Sequence, residues 1–234
     1  NWLTTSGIQN SDKRNKKQFG AFNAWFDTKS KKYSYMYSEI TGYLITSMLF
    51  HYELTKKKIF LQSAKNCADW LIENSQDSSG GFKCLFLVNK KLKYGKKKNY
   101  IYAFDNGVII NGLVNLYNVT SNKKYLSAAE KSAEFMNTHF FKKNNQIKPV
   151  YDLKNKKFIE DAKEWSLVSG SYHTKISIGY FNLYKATKKK KYLVNGKKIL
   201  DAYLKKQKKN GEFISTVTTT NYHPYCYSLE GYWA

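Results

Sequence analysis

Two kinds of helical pattern alternate along this chain. In the first, apolar and small residues face nearly every direction, as in 42–54, 107–119 and 174–186. In the second, Leu61, Ala64, Ala68 and Leu71 share one stripe, as do Leu126, Ala129, Ala133 and Met136, with Lys, Glu and Asn opposite. Recurrence at three and four residues marks amphipathic helices. A helix that is apolar all round belongs inside a fold, whereas an amphipathic one keeps a wet face. The pattern therefore predicts inner helices alternating with outer helices.

The alternation is a repeat. Leu54-Thr55-Lys56-Lys57-Lys58-Ile59-Phe60-Leu61, Val119-Thr120-Ser121-Asn122-Lys123-Lys124-Tyr125-Leu126 and Ala186-Thr187-Lys188-Lys189-Lys190-Lys191-Tyr192-Leu193 align as turns between an inner and an outer helix, 65 and then 67 residues apart. In that register Gly42, Gly107 and Thr174 correspond, as do Ser47, Gly112 and Gly179. Small residues at fixed inner positions predict close helix approach. Outer helices end in Gln76…Gly80-Gly81-Phe82 and Gln207…Gly211-Glu212-Phe213, where Gly stops the helix and Phe starts a short extended piece. The second repeat has Asn144-Asn145-Gln146-Ile147 instead. Trp2-Leu3…Gln9…Gly20-Ala21-Phe22 copies an outer-helix end, and Tyr225 to Ala234 copies an inner-helix start, with Gly231 on Gly179. The content is half a hairpin, three full ones and half another. One hairpin cannot cover its own apolar face, so neighbours must stack. The fold class is all-α: an α/α toroid of inner and outer helical hairpins, with short β pieces at the Gly-x-Phe ends.

Composition supports a large core, with 42% hydrophobic and 17% aromatic residues in 234. The net charge of +23 raises anionic partners. Arg14 is the only arginine, however, and arginine is the side chain suited to bidentate phosphate and base recognition. Runs such as Lys56–Lys58, Lys96–Lys98 and Lys188–Lys191 read as a solvated face, so nucleic acid is not expected as a partner. Cys67, Cys84 and Cys226 have no metal-ligand spacing and are odd in number, which favours a reducing compartment such as the cytoplasm. No apolar run reaches the length of a membrane span. Neither a metal nor a cofactor is expected: His223-Pro224-Tyr225-Cys226 lacks a second ligand pair, and no phosphate-binding Gly loop occurs.

Parallel inner helices bring their N-terminal ends to one mouth, the default place for a ligand. The entries there mix aromatic and ionisable residues: Tyr33 to Gly42, Tyr100 to Gly107, Trp165 with Gly170 to Lys175, and Tyr222 to Gly231. Aromatic faces stack on sugar rings, and two groups of different pKa flanking one bond are what glycosidic acid–base chemistry needs. Glu39, Asp105 and Glu230 are the carboxylate candidates, and His173 and His223 the candidate proton carriers. Tyr35, Tyr43, Tyr102, Trp165 and Tyr225 are candidate stacking residues, and Lys175 is placed to hold a substrate carboxylate. Each has a plainer role open to it. Glu39 and Asp105 sit where carboxylates cap helices, and the histidines can be structural. Glu230 lies a turn into an apolar helix, where burial is costly unless it is paired. His51 and His139 lie far from the mouth.

With this alternation and these helix ends, the chain resembles the six-hairpin glycosidase-like superfamily of α/α toroids. That superfamily includes unsaturated glucuronyl hydrolases, N-acylglucosamine 2-epimerases, the C-terminal domain of glucuronyl C5-epimerases and several polysaccharide lyases. Ser38-Glu39-Ile40-Thr41-Gly42-Tyr43, Phe104-Asp105-Asn106-Gly107 and His223 to Gly231 look like segments of toroid proteins associated with surface-polysaccharide synthesis. The resemblance implies an incomplete (α/α)6-type barrel, so residues 1–234 are expected to form one toroid domain within a longer ring, or an arc closed by an oligomer. It implies a carbohydrate-active enzyme on an oligo- or polysaccharide, with acidic sugars favoured. Hydrolysis would use two carboxylates; lyase or epimerase chemistry would use a His or Tyr as base. A non-catalytic carbohydrate-binding scaffold is the alternative.

Overall fold

The repeated turn between inner and outer helix is built by its threonine. Thr55, Thr120 and Thr187 each donate a side-chain hydrogen bond, 2.7 Å long, to the carbonyl four residues back, at His51, Leu116 and Leu183. The same oxygens accept from the backbone N–H of Lys57, Asn122 and Lys189. Between them Lys56, Ser121 and Lys188 take the left-handed conformation at φ 56°, 56° and 59°. That conformation closes a helix C-terminus but is unfavourable for residues with a Cβ. The threonine bridge on both sides holds it.

These turns join the hairpins of a computed structural model that describes residues 2–87, 95–162, 164–214 and 222–234. A short helical turn, α1 (Trp2–Thr5), comes first. Three hairpins follow: α2 (Ser38–Thr55) with α3 (Lys58–Trp70), α4 (Ala103–Thr120) with α5 (Lys123–His139), and α6 (Ile176–Thr187) with α7 (Lys190–Leu204). The final helix is α8 (Tyr222–Trp233). The even-numbered helices are the inner layer. α2 packs on α4 and α4 on α6, while α2, α4 and α6 each also pack on the outer helix that follows, α3, α5 and α7. α8 packs on the 3-10 turn Ser171–Lys175 that leads into α6. The fold is an α/α toroid arc, as the sequence repeat predicts. No helix among the described residues is long and apolar enough to cross a membrane.

Small residues set the distance between inner helices. A Cβ on Gly112 would lie 2.7 Å from the Gly42 carbonyl oxygen, one on Gly179 2.8 Å from that of Gly107, and one on Gly231 2.5 Å from that of Thr174. This is the register of the sequence repeat, now seen as contacts. A second link recurs one turn on: Asn115 Nδ2 donates to Thr46 Oγ1 at 3.3 Å, and Asn182 Nδ2 to Asn111 Oδ1 at 2.6 Å.

The outer layer has matching devices. Gln9 Nε2 donates to the carbonyls of Gly20 and Ser63, and Gln76 Nε2 to those of Gly80 and Ala128, so each glutamine ties its own helix end to the next outer helix. Lys124 pairs with Asp69 at 2.8 Å and Lys191 with Glu134 at 2.6 Å, again one repeat apart. Part of the lysine excess therefore serves contacts between outer helices. Each such exposed pair contributes about 0–1 kcal/mol.

The β structure departs from expectation in place. The Gly-x-Phe ends make single bridges, Gln9 to Phe22, Gln76 to Phe82 and Gln207 to Phe213. The longer pairings lie among the loops at the inner-helix entries. They are β1 (Phe26–Asp27) with β2 (Lys32–Tyr33), β3 (Met36–Tyr37) with β4 (Leu85–Phe86), and a sheet of β5 (Tyr100–Tyr102), β6 (Val150–Asp152) and β7 (Lys157–Ile159), all antiparallel. β3 runs directly into α2 and β5 into α4. Strand pairing thus fixes the side chains that enter the mouth.

Replacing Gly112 with Ala forces its Cβ onto a backbone carbonyl that cannot swing aside. Overpacking of this kind costs about 1–3 kcal/mol, and the expected outcome is a lower denaturant midpoint with an unchanged slope, read by circular dichroism.

Candidate active site

A cavity of about 360 Å³ opens at the N-terminal ends of α2 and α4. Glu39 and Asp105 line it, each from the first turn of its helix. So do Tyr35, Tyr102, Trp165 and His223 from the expected set. Phe104, Tyr172, Trp165, His223 and Tyr227 form a continuous series of ring contacts along one wall, with centroids 4.7–5.7 Å apart.

The two carboxylates are not copies of each other in the repeat. Glu39 aligns with Phe104 and Ser171, and Asp105 with Ile40 and Tyr172. Asp105 is 2% exposed, and its Oδ2 has no hydrogen-bond partner. Burial pushes its carboxyl well above the usual carboxylate range, and the charge of Glu39 pushes it further; a hydrogen bond from the Cys84 thiol and the charge of Lys97 oppose this. Burial also raises Glu39, but the Tyr37 hydroxyl donates to it and the Lys175 charge favours its ionised form. The pair is therefore unequal. Asp105 keeps its proton to higher pH, and Glu39 is the first to ionise.

Lys175 is not free for a substrate carboxylate in this arrangement. It forms an ion pair with Glu230 and lies over the rings of Tyr43 and Tyr227, 4.8 and 4.3 Å from their centroids. Glu230 itself is half-exposed and outside the cavity lining, so the buried carboxylate expected from its apolar helix is not found. Tyr43 and Tyr225 also lie outside the lining, Tyr43 beneath Lys175 and Tyr225 partly buried on the first turn of α8.

His173 is corrected by the structure. It is fully buried, away from the cavity lining, with its rings' neighbours Tyr172 and Tyr203 and with Nδ1 3.0 Å from the Gly170 carbonyl. In the repeat it aligns with Thr41 and Asn106. Those side chains accept from the N–H of Phe22 and Phe82 and donate to the carbonyls of Tyr37 and Tyr102. At Thr41 and Asn106 this position clamps the backbone beneath the mouth; His173 keeps only half of the pattern, since its Nε2 has no partner and the N–H of Ile147 goes to the Tyr203 hydroxyl instead. Burial pulls the imidazole down to about 3, so it stays neutral and takes no proton at working pH.

Tyr37, Cys84, Lys97, Phe104, Tyr172 and Tyr227 also line the cavity, and residue patterns alone did not single them out. Lys97 pairs with Glu164 at 3.1 Å while facing the cavity. Among the described residues no group of three or more His, Cys, Asp and Glu side chains is placed to hold a metal ion.

The family model for glycosyl hydrolase family 76 matches residues 22–157 and again 93–228. The chain belongs to glycosyl hydrolase family 76. The two matches are displaced by about one hairpin, as a repeated fold allows. Solved structures share the toroid fold. A cellobiose 2-epimerase from Bacillus thermoamylovorans matches with a TM-score of 0.72 at 15% identity, covering 92% of this chain and 55% of its own. A D-mannose isomerase matches at 0.69 and 16%, covering 91% and 52%. A family 76 α-mannanase from Bacteroides thetaiotaomicron matches at 0.61 and 15%, covering 91% and 73%. At these identities the likeness is one of fold. The chain spans about half the length of the first structures it matches. No curated protein matches it in sequence.

Two stability measurements follow from the buried groups. The folded-state pKa of Asp105 is raised, so its protonated form stabilises the fold, and that stability is lost as pH climbs from the unfolded value of about 3.9 through the raised one. Asp105→Asn is expected to melt higher than the parent at pH 7 and to lose that advantage near pH 4. For His173 the folded value is depressed. Its contribution is present above the unfolded value of about 6.5 and falls as pH drops towards 3, by about 1.4 kcal/mol per unit. His173→Asn, which copies position 106, is expected to move the acid-unfolding midpoint to lower pH.

Proposed function

We propose that this chain carries the saccharide-binding and acid–base part of a carbohydrate-active enzyme that hydrolyses a glycosidic bond. The observation that carries this reading is the unequal carboxylate pair in a ring-lined cavity, together with family membership. Asp105, protonated by burial and by the charge of Glu39, is suited to give its proton to the glycosidic oxygen as the C–O bond breaks. Its Oδ2 is buried and makes no hydrogen bond within the protein, so a substrate oxygen brought against it would meet no competing partner. Glu39, held towards its ionised form by Tyr37 and Lys175, is suited to take a proton from the incoming water or to attack the sugar carbon itself. The anomer of the first product separates these two roles. The aromatic wall supplies stacking faces, and the substrate is an oligo- or polysaccharide. Lys175 is committed to Glu230, so a uronate on the substrate is recognised only by displacing that contact.

A second reading is supported by His223, which lies in the cavity against Trp165 and Tyr227. Proton transfer beside a sugar carbonyl, the chemistry of an epimerase or isomerase, would use it as the base. Product analysis separates the two readings, because hydrolysis shortens the glycan while epimerisation conserves its length. A non-catalytic scaffold is the outcome if glycans bind and none is converted.

Glu39→Gln and Asp105→Asn are each expected to lower kcat by about 10²–10⁴-fold, assayed on a panel of neutral and uronate-containing oligosaccharides, while His223→Ala spares hydrolysis. If both carboxylate variants turn over normally, the acid–base assignment fails. Lys175→Met removes the charge that favours ionised Glu39, so the acidic limb of the pH–rate profile should move to higher pH.

A further inference from the structure

The cavity does not end at Tyr35. Trp25 lies edge-on to the Tyr35 ring, with centroids 5.1 Å apart at 78°, and Tyr35 lies edge-on to Tyr37 at 6.0 Å and 67°. Tyr35 and Tyr37 line the cavity beside Glu39. Tyr35 is 7% exposed, whereas Trp25 is 44% exposed. The three rings form a track from the carboxylates to solvent. We infer that Trp25 is an additional sugar-stacking subsite, taking a unit of the same glycan whose scissile bond lies at Glu39 and Asp105. The inference rests on the saccharide reading above and adds a length requirement to it: the substrate is an oligomer or polymer that reaches past the cavity.

The backbone holds the indole in place before any ligand arrives. Trp25 precedes the β1–β2 hairpin. Its N–H donates to Ser34 Oγ and its carbonyl accepts from Ser34 N–H, both at 3.0 Å, and Ala24 N–H donates to the Tyr35 carbonyl at 2.9 Å. The hairpin turn is closed by the Asp27 carboxylate, which accepts from the N–H of Lys29 and Ser30, and by Lys31 in the left-handed conformation. A fixed ring loses little conformational freedom on binding, which is what makes aromatic side chains efficient contact surfaces. Its face suits the apolar face of a pyranose.

Exposure alone would not carry the assignment, since single exposed apolar residues are ordinary. Trp2 and Trp233 are more exposed, at 60% and 93%. Neither lines the cavity or touches a ring that does. Trp25 is set apart by its continuity with that wall.

The test is calorimetric titration of the chain with manno-, cello- and uronate-containing oligosaccharides of two, four and six units, with indole fluorescence read in parallel. The parent is expected to bind one series more tightly as length grows. Trp25→Ala should lower affinity for the longest member roughly ten- to hundred-fold and leave the shortest unchanged. Trp25→Phe should keep most of the gain, and Trp233→Ala all of it. Length dependence that survives Trp25→Ala overturns the subsite and leaves the saccharide reading standing. Equal loss at every length marks Trp25 as structural and also overturns it. Failure of the parent to bind any series overturns both.

Discussion

Glycines of neighbouring inner helices meet backbone to backbone, and the rest of the molecule depends on that contact. Gly112 lies on the carbonyl of Gly42, Gly179 on that of Gly107, and Gly231 on that of Thr174. A side chain at Gly112, Gly179 or Gly231 would separate two helices and also shift one along the other. Because the contact recurs at the same register, the N-terminal ends of α2 and α4 finish at one level. Glu39 and Asp105 are then neighbours through stacking, although 66 positions separate them in the sequence. The Thr46–Asn115 and Asn111–Asn182 links hold the same register by polar means.

The cavity departs from the rule that the first two repeats obey beneath the mouth. Where the repeat puts a threonine or an asparagine beneath the mouth, its polar atoms are satisfied by backbone, as at Thr41 and Asn106. Where it puts Ile40 and Tyr172, the second repeat has Asp105, buried with one oxygen unpartnered. An orphaned acceptor in a protein interior costs about 1–3 kcal/mol, so a residue of this kind is retained against stability. Local cost at a site that faces a ring-lined cavity is the usual mark of function rather than of folding.

Much of this was legible in the sequence, because a repeat carries its own alignment. The inner and outer layers, the threonine turns and the small-residue register follow from residues 65 to 67 positions apart. The mouth was legible too, since parallel inner helices leave nowhere else for their first turns. Glu39, Asp105, Tyr35, Tyr102, Trp165 and His223 were expected there, and all six line the cavity. The errors came from residues read singly. His173 was taken as a mouth residue, although its alignment with Thr41 and Asn106 already marked a backbone-binding position. Cys84 and Tyr37 reach the cavity through the pairing of β3 with β4, a contact between segments about 50 positions apart that no local pattern encodes. Lys97 was hidden inside a lysine run. Glu230 was read as costly to bury because its helix is apolar, yet its side chain is half-exposed and pairs with Lys175.

Charge placement around the two carboxylates explains why they need not share a role. A pair of buried acids in one cavity cannot both ionise at little cost, since each charge opposes the other. Something must break the symmetry. On the Glu39 side stand the Tyr37 hydroxyl and the Lys175 ammonium, both favouring the anion. Lys175 is itself steadied by Glu230 and by the faces of Tyr43 and Tyr227, so its charge stays close by without closing the cavity. On the Asp105 side stand a thiol, which is a weak donor, and a lysine already paired with Glu164. The stronger help goes to Glu39, and the proton remains on Asp105. Glu230 lies outside the cavity, and its own negative charge partly offsets the help that Lys175 gives to Glu39. The net charge of +23 is a poor guide to this site, because burial of Asp105 and the Tyr37 hydroxyl beside Glu39, ahead of the Lys175 charge, set the two acids apart.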